Sequence, residues 1–342
     1  MTDPPAESAS AAGKTITTVL GDIRPGGLGF CQSHEHLFIR RGRPAEINPA
    51  LRVDDPAGSL AEVEAYRRAG GRSLVDAQPP GCGRDPGALA ELSRRSGVHI
   101  IASTGFHRPL YYPADHWIFT ADARELTSFY LAELNEGMYR EESLSPRGFG
   151  IPAGDRAVPG GQNPGRAGQI KTALEAGPLD RQGQKLFGAA AAAAAESGRA
   201  VMVHVEQGAD PAALADFTLK QGLSPSQLIF CHLDRAIGDL GPHRELCRRV
   251  AYLEYDTIGR HKYHDDGREA EIILEMAEAG FAGQILLSLD TTRARLRAYG
   301  GTPGLCHILE SFIPLLKSRG LTEDHIRMFF VENPARAFAR GL

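Results

Sequence analysis

The chain has 342 residues, a formal net charge of −4 and an ordinary apolar fraction of 42%. A weakly acidic balance with no long basic run excludes a nucleic-acid-binding surface. No apolar stretch approaches the roughly 20 residues of a membrane-spanning helix, so no membrane partner is expected. Residues 1–14, Ala/Ser/Pro-rich and without a basic leader or an apolar core, read as a disordered tail rather than a signal peptide. Residues 15–342 then form a single domain, a length that α/β barrels often reach as one unit. The five cysteines are odd in number and scattered, which argues against a disulfide framework and for a reducing cytoplasm.

Strands and helices alternate along the chain. The apolar run Leu28-Gly29-Phe30-Cys31 reads as a strand that continues into Gln32-Ser33-His34-Glu35-His36-Leu37. Alternate side chains of a strand share a side, so His34 and His36 aim two imidazoles at one point. Helical spacing covers 56–69, with Leu60, Val63 and Tyr66 on one side, and 73–76 is a second strand closed by Pro79-Pro80-Gly81. A helix over 86–96 leads into a third strand over 99–103. An aromatic-rich loop with Phe106, His107, Tyr111, Tyr112 and Trp117 comes next, then a helix over 121–141. The Gly/Pro-dense stretch 143–166 reads as an irregular excursion rather than a linker. A fourth strand covers 167–171, and an alanine-rich helix through 189–195 leads into a fifth over 200–204. Strands six, seven and eight are expected over 228–232, 250–255 and 284–290. Eight nearly continuous apolar strands alternating with helices predict an α/β fold, a (β/α)8 TIM barrel with a parallel sheet covered on both faces.

His34, His36, Lys171, His204, His232 and Asp290 all fall at the C-terminal ends of these predicted strands. Barrel enzymes build their active sites at that end. A single histidine there is compatible with a satisfied core residue. Four histidines, a lysine and an aspartate together point to a metal site instead.

These residues carry a family resemblance. The chain resembles the phosphotriesterase-related branch of the amidohydrolase superfamily over residues 15–340, and within it the sugar-lactonase members. The matching pieces are Ile16-Thr17-Thr18-Val19-Leu20-Gly21, Ser33-His34-Glu35-His36, Gly168-Gln169-Ile170-Lys171, Val203-His204, Cys231-His232-Leu233-Asp234, Ser288-Leu289-Asp290 and Val331-Glu332-Asn333-Pro334-Ala335. The resemblance implies a binuclear site at which Lys171 is an N6-carboxylysine whose carbamate oxygens bridge two divalent ions. It implies that His34, His36 and Asp290 hold the more buried ion, and His204 and His232 the more exposed one. Zinc suits these ligands first, with manganese, cobalt or iron as alternatives. Two close metals lower the pKa of a shared water and polarise the substrate oxygen, and Asp290 is placed to shuttle the proton. Asp234 reads either as a partner that orients a ligand or as a helix N-cap just past strand six.

The loops address the substrate. Organophosphate hydrolases carry a second acid directly after the position of Asp234, where this chain has Arg235. Lys262 in loop seven and Arg293 in loop eight, with Tyr299-Gly300-Gly301 beyond, resemble relatives that open sugar-phosphate lactones. They would supply a point charge and a bidentate fork for a phosphate. The competing reading is a solvated basic loop paired to Asp265, Asp266 and Glu269. His107, Tyr111 and Tyr112 are candidates for touching the sugar, or form an aromatic lid packed on itself. The expected function is a metal-dependent hydrolase: a lactonase attacking a phosphorylated furanose-type lactone with metal-bound hydroxide. The alternatives are a phosphotriesterase, a hydrolase of unphosphorylated lactones of the acyl-homoserine type, and a silent barrel that only binds. The partner is a small lactone or ester, and the resemblance leaves a homodimer open.

Overall fold

The computed structural model describes residues 13–140 and 165–340. The predicted tail up to residue 12 and the predicted excursion over 143–164 lie outside the described residues. A short antiparallel hairpin, β1 (Ile16–Thr18) and β2 (Gly21–Ile23), comes first. Eight parallel strands follow: β3 (Cys31–Glu35), β4 (Ser73–Asp76), β5 (His99–Gly105), β6 (Ala167–Leu174), β7 (Val201–Val205), β8 (Leu228–Cys231), β9 (Tyr252–Tyr255) and β10 (Ile285–Leu287). Each pairs with the next, and β10 returns beside β3, where the Asp290 N–H donates to the His34 carbonyl at 3.0 Å. The result is a nearly closed (β/α)8 TIM barrel with helices between the strands, as the alternation predicts. No helix among the described residues is long and apolar enough to cross a membrane.

Three helices begin with the same two residues. Asp55-Pro56, Asp85-Pro86 and Asp210-Pro211 open helices Pro56–Arg68, Pro86–Ser96 and Pro211–Lys220. Proline presets the first helical φ, and each aspartate accepts an orphan amide, from Ala57, Ala88 and Ala213, at 2.9–3.0 Å. The helix predicted over 121–141 is shorter, Ala123–Asn135, because Asp122 and Glu125 form a capping box at its start. The alanine-rich helix, Arg181–Ser197, packs against it with Ala189, Ala190, Ala191, Ala193 and Ala194 buried.

Strand side chains alternate between two cores. Val201, Val203, Leu228, Phe230, Ile285 and Leu287 pack outward with the helices. Met202, Ile229, Cys231 and Leu286 fill the barrel interior with Cys31, Val75 and Ile101. This parity decides which polar residues at the strand ends face the barrel axis.

A fully buried ion pair ties the loop after β4 to the helix Ala123–Asn135 that follows β5. The Arg84 guanidinium grips Glu133 bidentately at 2.6 and 2.8 Å and donates to the carbonyls of Ser103 and Tyr139 at 2.8 and 3.1 Å. Breaking a buried pair strands the remaining charge and costs about 3–5 kcal/mol, whereas removing both charges is far milder. Arg84→Met should therefore lose about 3–5 kcal/mol of unfolding free energy in urea denaturation. The double variant Arg84→Met/Glu133→Leu should recover most of that loss, and a double variant no more stable than the single one contradicts this account.

Candidate metal centre

The six residues expected to bind metal converge at the C-terminal mouth of the barrel. Asp290 Oδ1 lies 3.3 Å from His36 Nε2 and 3.7 Å from His34 Nε2. Lys171, fully buried, brings its Nζ to 3.3 Å from His34 Nε2. The His232 ring lies 5.0 Å from that of His34 and 4.4 Å from that of His204, centroid to centroid. Ligand atoms of His34, His36 and Asp290 all lie within 4.8 Å of one another, as do those of His232, Asp256 and Asp290.

Local backbone geometry aims these groups. Lys171 sits where β6 pairs with Gly105 of β5, and a Cβ at Gly105 would lie 1.9 Å from the Lys171 carbonyl oxygen. Only a glycine fits that approach, and its φ of +104° suits one. A register shift between Gln32 and Glu35 interrupts the β3–β4 ladder beside the His-x-His pair. Cys231 points into the barrel, so simple alternation would turn His232 outward. His232 instead adopts a left-handed backbone, φ 67°, which turns its ring to the centre. Asp290 is left-handed too, at φ 49°. Among the described residues these are the two non-glycine residues with positive φ, a conformation that costs about 1–2 kcal/mol. Both lie at the site, where such strain concentrates.

Buried acids that the sequence reading did not single out support the histidines. Asp256 Oδ1 lies 2.6 Å from His232 Nδ1, and its Oδ2 lies 3.5 Å from His34 Nδ1. Glu254 lies beneath, accepting from Ser33 Oγ at 2.8 Å, Ser288 Oγ at 2.7 Å and Cys231 Sγ at 3.3 Å. The available signal was acids at alternate positions, 254 and 256, on and just past an otherwise apolar strand. Asp234 does not touch His232 and is not an N-cap: its Oδ2 accepts the amides of Asp256 and Thr257 at 2.8 and 2.7 Å. It orients His232 indirectly, by fixing the backbone that carries Asp256. Burial and the Asp256 charge push the Asp234 carboxyl up to about 7.

The donors fit a divalent cation. Burial pushes His204 down to about 4, with Lys171 and Arg235 adding to it against Glu206, so its imidazole is neutral at physiological pH. Burial and Arg235 likewise hold His232 well below the usual imidazole value. Neutral imidazole is the form that coordinates metal. Burial works to raise Asp290, but Arg260, the bond to His36 and Arg235 outweigh it and hold it well below the carboxylate range. Asp256 Oδ2 and Nδ1 of both His34 and His36 are buried without a well-formed hydrogen bond.

A cavity of about 260 Å³ opens over this cluster. Lys262, His107 and Tyr111 line it, as expected. Tyr112 does not: it is buried, its hydroxyl accepting from the His107 amide at 2.8 Å and reaching the Pro80 carbonyl at 3.3 Å. Arg293 follows Thr292, which lines the cavity, but its own guanidinium lies 5.0 Å over the Tyr299 ring and 3.4 Å from the Arg52 carbonyl. The structure therefore does not bring Arg293 beside Lys262. It brings in Arg235 and Arg260 instead, each 3.0 Å from Asp290 Oδ2, and Arg108, paired to Glu175 and Glu206.

A TIM barrel that gathers a buried His/Asp cluster at its C-terminal mouth defines a metal-dependent hydrolase. The chain belongs to the phosphotriesterase family, whose family model matches residues 14–143 and 163–338. A phospho-furanose lactonase of Mycoplasmopsis synoviae (strain 53) is 29% identical over 341 residues, covering 95% of this chain and 92% of the relative. An N-acetyltaurine hydrolase of Danio rerio is 27% identical, covering 94% of this chain and 97% of its own. The crystal structure of a lactonase from Listeria monocytogenes superposes with a TM-score of 0.83 at 25% identity, over 95% of this chain and 98% of that one.

Asp256 touches one histidine of the cluster and faces another, so it should govern how firmly metal is held. Partners of this kind are worth about 10–100-fold in metal affinity. Asp256→Asn should weaken divalent-metal binding by about that factor in competition with a chromogenic chelator. Unchanged affinity would mean that Asp256 serves folding alone.

Proposed function

We propose that this hydrolase is a lactonase that opens a small furanose-type lactone bearing a phosphate. One observation carries the reading: a surplus of cations over the cluster. Arg235, Arg260 and Lys262 line the cavity, and the two arginines share one carboxylate, Asp290. Lys262 lies 4.6 Å over the Tyr263 ring and has no carboxylate partner among the described residues. A neutral phosphotriester or an unphosphorylated lactone would have no use for that surplus, whereas a dianion would neutralise it. The similarity to a phospho-furanose lactonase supports the same class.

In this reading His34, His36 and Asp290 would hold one divalent ion, His204 and His232 a second, and Lys171, as N6-carboxylysine, would contribute to both. Lys171 is fully buried with its Nζ 3.3 Å from His34 Nε2, and carboxylation there would exchange an ammonium, which repels a divalent ion, for an anion that holds one. Imidazole and carboxylate donors suit zinc first, then manganese, cobalt or iron according to availability. Bound there, the ions supply an activated water near neutral pH and polarise the lactone carbonyl. The water oxygen bonds to the carbonyl carbon, the ring carbon–oxygen bond breaks, and a hydroxy acid results. Asp290 takes the proton from the water at its carboxylate and delivers it to the departing ring oxygen. His107 and Tyr111, rings 4.8 Å apart, form the wall against which the sugar rests. All five cysteines are buried and free, which supports the cytoplasm as the compartment.

The deciding experiment is a lactone panel with and without a phosphate, read by acid release. It includes an N-acylated amine carrying a sulfonate, the substrate type in the name of the Danio rerio relative. Lys262→Met should cost at least about tenfold in kcat/KM with the phosphorylated lactone and little with its unphosphorylated analogue. Arg293→Met should show the same contrast if the arginine leaves the Tyr299 ring when the anion enters. Equal losses on both substrates would remove the phosphate from the reading.

A second test addresses the bridge. Lys171→Ala should lose both metals on dialysis, with no recovery in bicarbonate and partial recovery of metal content in a short carboxylic acid. An alanine variant that keeps two equivalents of metal and full turnover contradicts the carbamate.

A further inference from the structure

Glu35, the residue between His34 and His36, pairs with neither histidine and with no cation at hydrogen-bonding distance among the described residues. It is fully buried. Its Oε1 accepts the Leu289 amide at 2.9 Å and its Oε2 the Thr291 amide at 3.1 Å. Those two amides flank Asp290, whose own N–H donates to the His34 carbonyl at 3.0 Å. Three consecutive amides after β10 therefore end on acceptors from residues 34 and 35. In return the His36 amide donates to Thr291 Oγ1 at 3.1 Å.

We infer that Glu35 is the positioning residue of Asp290: by clamping the amides on either side, it holds residue 290 left-handed and so fixes where its carboxylate points. The inference rests on reading Asp290 as metal ligand and proton carrier. The physical case is one of compensation. A left-handed aspartate is strained, so a free loop would relax to an ordinary backbone and swing the carboxylate away. Two hydrogen bonds to one carboxylate outweigh that tendency, each charge-assisted bond contributing about as much as the strain costs. The chemistry requires glutamate at 35. Two amides need two acceptor oxygens, and glutamine offers one, with its NH₂ facing the other N–H. Glu35 also fixes the relative position of groups from opposite edges of the sheet, since His34 and His36 leave β3 and Asp290 leaves β10.

The test compares metal-loaded wild type with Glu35→Gln and Glu35→Ala by peptide-resolved hydrogen exchange over 288–292, metal content and steady-state kinetics. In wild type the amides of Leu289 and Thr291 should exchange slowly, and rapid exchange there overturns the inference without any variant. In Glu35→Gln, which keeps the volume, exchange over 288–292 should rise. With the lactone that wild type opens, kcat should fall about 10–100-fold, the scale of a 1 Å misplacement, while KM stays within about threefold. A residue that merely supports the fold would lower the melting temperature and leave kcat per folded molecule unchanged, and that result sinks the proposal. If Glu35→Ala does not fold, the glutamine variant and the wild-type exchange still decide. A wild type that opens no lactone, with exchange rising in the variants, removes the lactone reading and leaves the clamp standing.

Discussion

Backbone amides that end on buried carboxylates hold the mouth of this barrel together. Parallel strands have no hairpin to close their ends, and β10 is only three residues long, so the chain beyond it needs another anchor. Glu35 provides it for residues 289–291, and two more acids repeat the device. Asp76 accepts the amides of Leu37 at 2.8 Å and Gln78 at 3.1 Å, and Asp234 those of Asp256 and Thr257. A buried amide left without an acceptor costs about 1–3 kcal/mol, so each clamp makes one loop conformation much better than its neighbours. The segments held in this way carry His36, Asp256 and Asp290. Rigidity at the mouth and the aim of the polar groups therefore have the same cause.

The same acids create an electrostatic demand. Glu35, Asp76, Asp234, Glu254, Asp256 and Asp290 are all buried, within or around one small volume. Anions out of water are tolerated only when hydrogen-bonded, paired or metal-bound. Serine and cysteine hydroxyl and thiol groups satisfy Glu254, and backbone amides satisfy Glu35, Asp76 and Asp234. Asp256 and Asp290 are left to histidines and arginines. These two therefore carry the negative charge that divalent ions would complement, and their neighbours His34, His36 and His232 bring ring nitrogens around the same point.

What could be read from the sequence follows from this division of labour. The barrel was legible because strand and helix periods are set by burial, which leaves continuous apolar runs alternating with helical spacing. The cluster was legible because barrel enzymes place polar residues at one end of each strand, so His34, Lys171, His204 and Asp290 could be picked out by position. The support was not. Glu35 and Asp256 look like solvated acids until tertiary neighbours appear, and His232 owes its aim to a left-handed backbone that no local pattern announces. Asp234 supports His232 at one remove, through two backbone amides more than twenty residues on, a link no local pattern announces. Cation placement was the least legible. Arg293 and Lys262 lie in adjacent loops, yet side-chain direction in a loop depends on what is nearby, here Tyr299 for one and the cavity for the other.

The arginine pair on Asp290 also bears on how this site can break an acyl bond. Arg260 and Arg235 hold Asp290 as a carboxylate, which leaves it free to accept a proton, as a weak base that becomes a strong acid once protonated. An amide nitrogen must be protonated before it can depart, because its anion is a very poor leaving group. The ring oxygen of a lactone departs with far less help. A carboxyl this acidic, once protonated, can serve either leaving group, so the choice between ester and amide falls to the groups that line the cavity. The cations that impose this state also face the cavity, so an anionic substrate would draw on the same guanidinium groups. A dianion arriving beside Lys262 would weaken their hold on Asp290 and raise its proton affinity as the substrate binds. Substrate charge and base strength are thereby coupled through Arg235 and Arg260, and a phosphate would improve turnover through the base as well as through its own contacts.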